Sequence, residues 1–412
     1  MKIFINKLYI SLLLIFVYEL FMLIFNFTGV TASKVFVTGF LWISVIICIG
    51  TFLKNYRQFR KSIPKLAFNT ILLIIIWNLI NIVRSLFIAD GAITSLFGNI
   101  NTSLALLVPF FIIFSIKTEN IRRLNNYFII LFKIGILLFI LFFVTEGGIL
   151  NITQFKILNL FFFPVTFLIT IVNFQRKKEK IIIFLVVLLL MYIAFGTDSR
   201  TSVLRELLLI ISLIALFFYR KFFFKWILKV TFLILLVPFI FIQSSISTGQ
   251  SAIKQNLSSI SDQELSSDTR TFLYTEVFED LLINDALIFG KGANGTYYSD
   301  FFNQTGGDTD TRLTVEVGVL AILLKGGLIG LLFYFLILYT SIYYAFFRSN
   351  NFYVVGIGFM LIIYSLILFI QNSISYSSHN IYIWFFIGIC LSKEMRNMSN
   401  PEIKALLLSK KV

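Results

Sequence analysis

Apolar residues along this chain gather into long runs, and polar residues into short gaps between them. A helix needs about 20 largely apolar residues to cross the hydrocarbon core of a bilayer. Runs of that kind predict spans at 5–27, 35–53, 67–88, 104–116, 126–145, 156–174, 181–195, 202–219, 226–243, 318–347, 353–371 and 380–393. The fold class this predicts is all-α, a polytopic membrane protein of about twelve transmembrane helices with a large extracytoplasmic loop containing short helices. The run at 104–116 is short and draws on its flanks. The run at 318–347 is long and carries Gly326-Gly327, a place where a helix can break. The first run exceeds a signal-peptide core and no small-x-small cleavage site follows, so it reads as a retained span.

Composition agrees with the pattern. The chain is 58% hydrophobic and 13% charged, about half the charged share of a soluble domain. A net charge of +15 would suit nucleic acid if it formed one patch, but it does not. The basic residues cluster in alternate gaps: Lys54, Arg57, Arg60, Lys61 and Lys65; Lys117, Arg122 and Arg123; Arg176, Lys177, Lys178 and Lys180; Arg220, Lys221 and Lys225; Arg348; and the C-terminal tail. Cytoplasmic loops retain such clusters, so the alternation predicts both termini in the cytoplasm and argues against nucleic acid as a partner. The chain then divides into 1–243 with helices one to nine, 244–317 as the extracytoplasmic loop, and 318–412 with helices ten to twelve and the tail. Cys48 and Cys390 both fall inside predicted spans, and His379 is the only histidine, which argues against disulfide, zinc and His-rich metal sites. No internal repeat supports an inverted-repeat transporter.

The stretch 244–317 breaks the pattern. It is rich in Ser, Asp and Gly, it is acidic, and only Lys254, Arg270, Lys291 and Arg312 oppose its carboxylates. Long loops with their own composition usually carry function. Within it, Ser267-Asp268-Thr269-Arg270 precedes Thr271 to Ile283, which has Phe272, Val277, Phe278, Leu281 and Leu282 at helical spacing. This predicts a capped amphipathic helix. Arg270 in its first turn opposes the helix dipole, unless an anion is held there or loop carboxylates pair with it. Gly290-Lys291-Gly292-Ala293-Asn294-Gly295 matches G-x-G-x-x-G literally, yet no strand precedes it; a tight glycine turn beside a substrate fits better. Glu316 stands at the mouth of the 318–347 span, where it suits a general base, a sugar-hydroxyl acceptor or an ordinary interfacial acid. Lys325 would be buried inside that span unless paired or facing a cavity.

Elsewhere, Gly196-Thr197-Asp198-Ser199-Arg200 ends the seventh predicted span on the outer side, with Arg205 and Glu206 following. Each arginine there either contacts an anion or snorkels to the interface. Arg84 sits near the outer end of the third span, and Asn78, Asn81 and Ser85 share one helical face. That face lines a polar cavity or packs on another helix.

With these residues in view, the chain resembles the bacterial O-antigen polymerase and O-antigen ligase superfamily. Three elements match in order: Asp198-Ser199-Arg200 at an outer helix end; Arg270, an amphipathic helix and Phe289-Gly290-Lys291-Gly292; and Glu316 through Gly330 in the span after the large loop. Ligase members typically carry His-Asn where this chain has Glu316-Val317, so the resemblance favours a polymerase. What it implies is a metal-independent glycosyltransferase, without cofactor, in the bacterial inner membrane. Its substrate would be an undecaprenyl-diphosphate-linked oligosaccharide, its partners membrane lipid and optionally a chain-length regulator protein. Arg200, Arg270 and Glu316 are the expected catalytic residues. Arg84, Arg205, Tyr274, Gly290, Gly292, Arg312 and Lys325 are the expected substrate contacts, with Tyr297 and Tyr298 adding aromatic surface. A ligase and a lipid-linked oligosaccharide flippase are the alternative readings.

Overall fold

The computed structural model describes residues 7–28, 34–88, 93–145, 167–168, 170–196, 207–211, 216, 271–299, 311–372 and 374–408. The elements up to the outer loop are α1 (Lys7–Thr28), α2 (Lys34–Ser62), α3 (Lys65–Ile88), α4 (Ile93–Gly98), α5 (Ser103–Leu107), α6 (Thr118–Thr145) and α7 (Lys177–Gly196). A 3-10 stretch, Val108–Ile116, joins α5 to α6. After these come α8 (Thr271–Ile283), a two-stranded antiparallel ribbon of β1 (Tyr297–Tyr298) and β2 (Thr311–Arg312), α9 (Gly318–Phe347), α10 (Phe352–Ile367), α11 (Ser378–Leu391), α12 (Lys393–Asn397) and α13 (Asn400–Leu408).

The described chain is mostly helical, as expected. Among the described residues three helices are long and apolar enough to span: Val37–Ser62, Lys65–Phe87 and Gly318–Phe347. A fourth follows if Ser103–Ile116 and Thr118–Leu137, bent by 113°, count as one broken span. The helices α1, α7, α10 and α11 occupy the intervals expected for spans near 5–27, 181–195, 353–371 and 380–393. The expected spans at 202–219 and 226–243, and most of 156–174, lie outside the described residues.

One expectation changes. The polar gap expected between the runs at 104–116 and 126–145 is not a loop: α6 begins at Thr118 and meets the preceding arm, Ser103–Ile116, at a bend of 113°. Pro109 enters that arm at the start of the 3-10 stretch, where its missing N–H costs little. Every residue from Val108 to Ile116 is buried. This arm is the centre of the packing, held by α11, α2 and α3. At Gly388 of α11 an added Cβ would lie 2.7 Å from the Ser115 Cβ, so the glycine lets the two backbones approach. Exposed apolar side chains, such as Ile46 and Leu53 on α2 and Ile76, Ile80 and Val83 on α3, form the rim that faces lipid.

Candidate functional site

The span α9 is broken where the glycine pair suggested. Gly327 takes φ 63°, ψ −167°, inside an otherwise helical run. A broken helix in a bilayer leaves amides and carbonyls that lipid cannot satisfy. The outer loop supplies the partners. Lys291 N–H donates to the Leu324 carbonyl at 2.7 Å and Gly292 N–H to that of Lys325 at 3.1 Å. In return Leu328 N–H donates to Leu287 at 3.0 Å and Ile329 N–H to Ile288 at 3.3 Å. Trp77 Nε1 of α3 donates to the Gly326 carbonyl at 2.9 Å. Residues 287–292 therefore act as a clasp across the break.

The Gly-x-Gly pair is explained by that contact. Gly290 and Gly292 have φ of +68° and +82°, and a Cβ on Gly290 would come within 2.5 Å of the Gly327 nitrogen. The backbone these glycines allow to approach is that of α9, which accounts for the motif without a dinucleotide. Arg84 completes the clasp, its Nη1 donating to the Phe289 carbonyl at 2.9 Å and its Nη2 to that of Gly290 at 3.0 Å. Asn81 accepts from Ala293 N–H at 3.3 Å, and the Ser85 hydroxyl from Asn294 N–H at 3.2 Å. The polar face of α3 thus holds the loop, while Asn78 Nδ2 donates to Leu106 of α5 at 2.8 Å. Lys291 pairs with Asp280 of α8 at 2.5 Å. Lys325 is buried, and its one hydrogen bond goes to the Ala293 carbonyl at 3.3 Å.

Above the clasp lies a cluster of polar side chains. The amphipathic helix expected over 271–283 is α8, with Leu273, Val277, Phe278 and Leu281 buried. Glu276, at the edge of that face, accepts from the Ser299 hydroxyl at 2.6 Å. Tyr297 pairs with Arg312 across the ribbon. Burial pushes the Tyr297 phenol up to about 12; Arg312 pulls it down, and Glu276 and Glu316 add to the rise. Glu316 itself is exposed. Its position is fixed from behind, because Asn372 donates its N–H to the Glu316 carbonyl at 2.6 Å and its Nδ2 to Val315 at 2.7 Å. The cluster joins two carboxylates, a guanidinium and a phenol that stays protonated. It can accept a proton, hold an oxyanion and donate to sugar hydroxyls.

The expected site residues fall into two groups here. Arg312 and Glu316 meet around Tyr297, and Arg84, Gly290, Gly292 and Lys325 meet at the clasp. Tyr274 lies apart, its hydroxyl donating to the Phe369 carbonyl at 2.6 Å. Burial pushes its phenol up to about 12 as well. Arg200, Arg205 and Arg270 lie outside the described residues. Sequence reasoning counted Glu276 only among the loop acids and Tyr297 only as aromatic surface. The signal for Glu276 was its spacing, three residues after the buried Leu273 and therefore beside the packed face.

The family described as O-antigen ligase matches residues 184–335. The matched segment is similar to that O-antigen ligase family over its 152 of the chain's 412 residues. The matched segment contains α8, the clasp, the polar cluster and the broken half of α9. Members of this membrane family are glycosyltransferase-like enzymes acting on lipid-linked oligosaccharides. No curated protein and no solved structure matches the chain at a significant level.

Proposed function

We propose that this protein is a polysaccharide polymerase, joining undecaprenyl-diphosphate-linked repeat units at the outer face of the bacterial inner membrane. The observation that carries the reading is the exposed Glu316 carboxylate, held at the mouth of a span in company with Arg312, Tyr297 and Glu276. The acceptor unit's hydroxyl attacks the anomeric carbon of the growing chain. Its proton passes to Glu316, the new glycosidic bond forms, and the carbon–oxygen bond to the diphosphate breaks. The electron pair leaves on the diphosphate oxygen, where Arg200 and Arg270 stabilise the added charge. Arg205, Tyr274 and Arg312 serve substrate binding directly, while Arg84 and the glycine turn serve it by holding the loop on α9. Glutamate at 316, where ligases carry histidine, supports polymerase over ligase. Twelve spans, cytoplasmic termini and the division at 243 and 317 complete the proposed architecture.

Purified protein reconstituted with lipid-linked repeat units tests this. Arg200→Ala and Arg270→Ala are expected to abolish polymer and leave single units. Glu316→Gln is expected to lower the rate by about a hundredfold or more, as for a lost general base, without a change in thermal midpoint. Wild-type chain lengths in both arginine variants reject the assignment. Transfer of finished glycan to a second acceptor indicates the ligase, and translocation without new bonds the flippase.

A further inference from the structure

Lys325 is the most costly residue of the described core. Only 4% of it is exposed, and it lies about 10 Å inside the outer end of α9, seven residues at 1.5 Å each. An ammonium at that depth is expensive unless an opposite charge or a wet cavity receives it. No carboxylate pairs with it among the described residues, and its single hydrogen bond is long. A second donor is also unused. Asn81 is fully buried and its Nδ2 has no partner, yet it lies against Gly326, the residue after Lys325.

Space accompanies the ammonium. A cavity of about 50 Å³ runs beside Lys325, walled by Trp77, Asn78, Asn380 and Trp384. That holds about three or four waters at the ~10–15 Å³ each needs, roughly the bulk of a phosphoryl group. Asn380 adds an unpartnered acceptor, its Oδ1, for a water or a protonated oxygen. A tight cleft links Lys325 to Thr314 and Val315, just before Glu316. A buried ammonium with a single long hydrogen bond and open space beside it selects for an anion with several oxygens.

We propose that Lys325 forms the floor of a receiving site for a phosphoryl oxyanion carried on a lipid. It holds the diphosphate while Arg200 and Arg270 meet the charge of the leaving group, and a tight cleft joins it to the residues just before the carboxylate that takes the proton. The natural ligand, a polyprenyl diphosphate, rests on the polymerase reading; the site itself does not. A bulk phospholipid headgroup offers the same chemistry, and the experiment separates the two.

Full-length protein in phosphatidylcholine nanodiscs is titrated with farnesyl diphosphate, and with farnesol as the uncharged control. Lys325→Met is expected to weaken diphosphate binding about tenfold or more, the scale of one charged hydrogen bond, and to leave farnesol unchanged. Lys325→Arg is expected to stay within about threefold of wild type, since it keeps the charge. Asn380→Asp places a carboxylate on the wall of the cavity that the ammonium lines. It is expected to weaken diphosphate binding about tenfold as well, which keeps a folded test if the methionine variant fails. Competition by phosphatidylglycerol in wild type but not in Lys325→Met assigns the site to bulk lipid; its absence assigns it to the diphosphate carrier. Unchanged diphosphate binding in Lys325→Met, or an equal loss of farnesol, overturns the proposal. A protein that binds the diphosphate through Lys325 yet makes no polymer would sink the polymerase reading and leave this site standing.

Discussion

At its N-terminal end, the outer one in the proposed topology, α9 is broken at Gly327, carries the buried Lys325 and shares four main-chain hydrogen bonds with the preceding loop. At its inner end it runs unbroken into an aromatic collar of Tyr343, Tyr344 and Phe347. Arg396 closes that collar, its guanidinium 4.6 Å from the Tyr344 ring centre. Asn351 ties the inner end down further: its Nδ2 donates to Met395 at 2.8 Å and Met398 at 2.9 Å, and its Oδ1 accepts from Val354 at 2.9 Å. Local rules of helix geometry are obeyed at one end and broken at the other. The charged and strained features collect where they are broken, as expected of a site bought at the expense of regularity.

Substitutions at the two ends test that contrast. Gly327→Ala is expected to have the largest effect, since the residue sits at positive φ and its Cβ would lie 2.2 Å from the Ile288 carbonyl oxygen. A loss above about 4 kcal/mol, read as failure to yield monodisperse protein, separates it from Ser341→Ala on the inner half, expected within about 1 kcal/mol. Arg84→Met removes two charged donors from the clasp and is expected to cost about 2–3 kcal/mol, seen as faster proteolysis within 284–296. Arg396→Met at the inner end loses the ring contact and the bonds to the Arg348 and Leu391 carbonyls and is expected to cost about 2–3 kcal/mol as well, but without faster proteolysis within 284–296; cleavage there in Arg396→Met and not in Arg84→Met would contradict the comparison.

The Tyr297 phenol gives a smaller, pH-resolved effect. Its folded pKa lies near 12 against an ordinary 10.0. Its contribution is therefore intact below pH 10 and lost as pH rises to 12. The thermal midpoint of wild type should fall more steeply over that window than that of Tyr297→Phe. Tyr274→Phe is expected to have a similarly small effect, about 1 kcal/mol in thermal or denaturant unfolding, for the bond to Phe369.

Much of this arrangement was legible beforehand where local pattern decides. The apolar run over 318–347 gave α9 to the residue, the spacing over 271–283 gave α8, and the paired glycines marked the break. What stayed hidden depends on partners far along the chain. The bond between Arg84 and Gly290 joins residues 206 positions apart, and no periodicity reports it. The bend before α6 was missed because a buried 3-10 arm and a buried α-helix are equally apolar. The main-chain contact that the glycine turn makes with α9 is visible only once α3 and α9 are packed. Glu276 went unassigned because its role arises from a two-residue strand that no alternation announced.

The clasp also governs how such loops can be exchanged. Because 287–292 and 324–329 complete each other's hydrogen bonding, they form one unit, though a predicted boundary at 317 runs between them. A chimera that grafts a related enzyme's extracytoplasmic segment onto this scaffold must carry both stretches together. Cutting at 317 would strand amides in lipid on both sides of the junction, and the hybrid would misfold for reasons unrelated to sugar specificity.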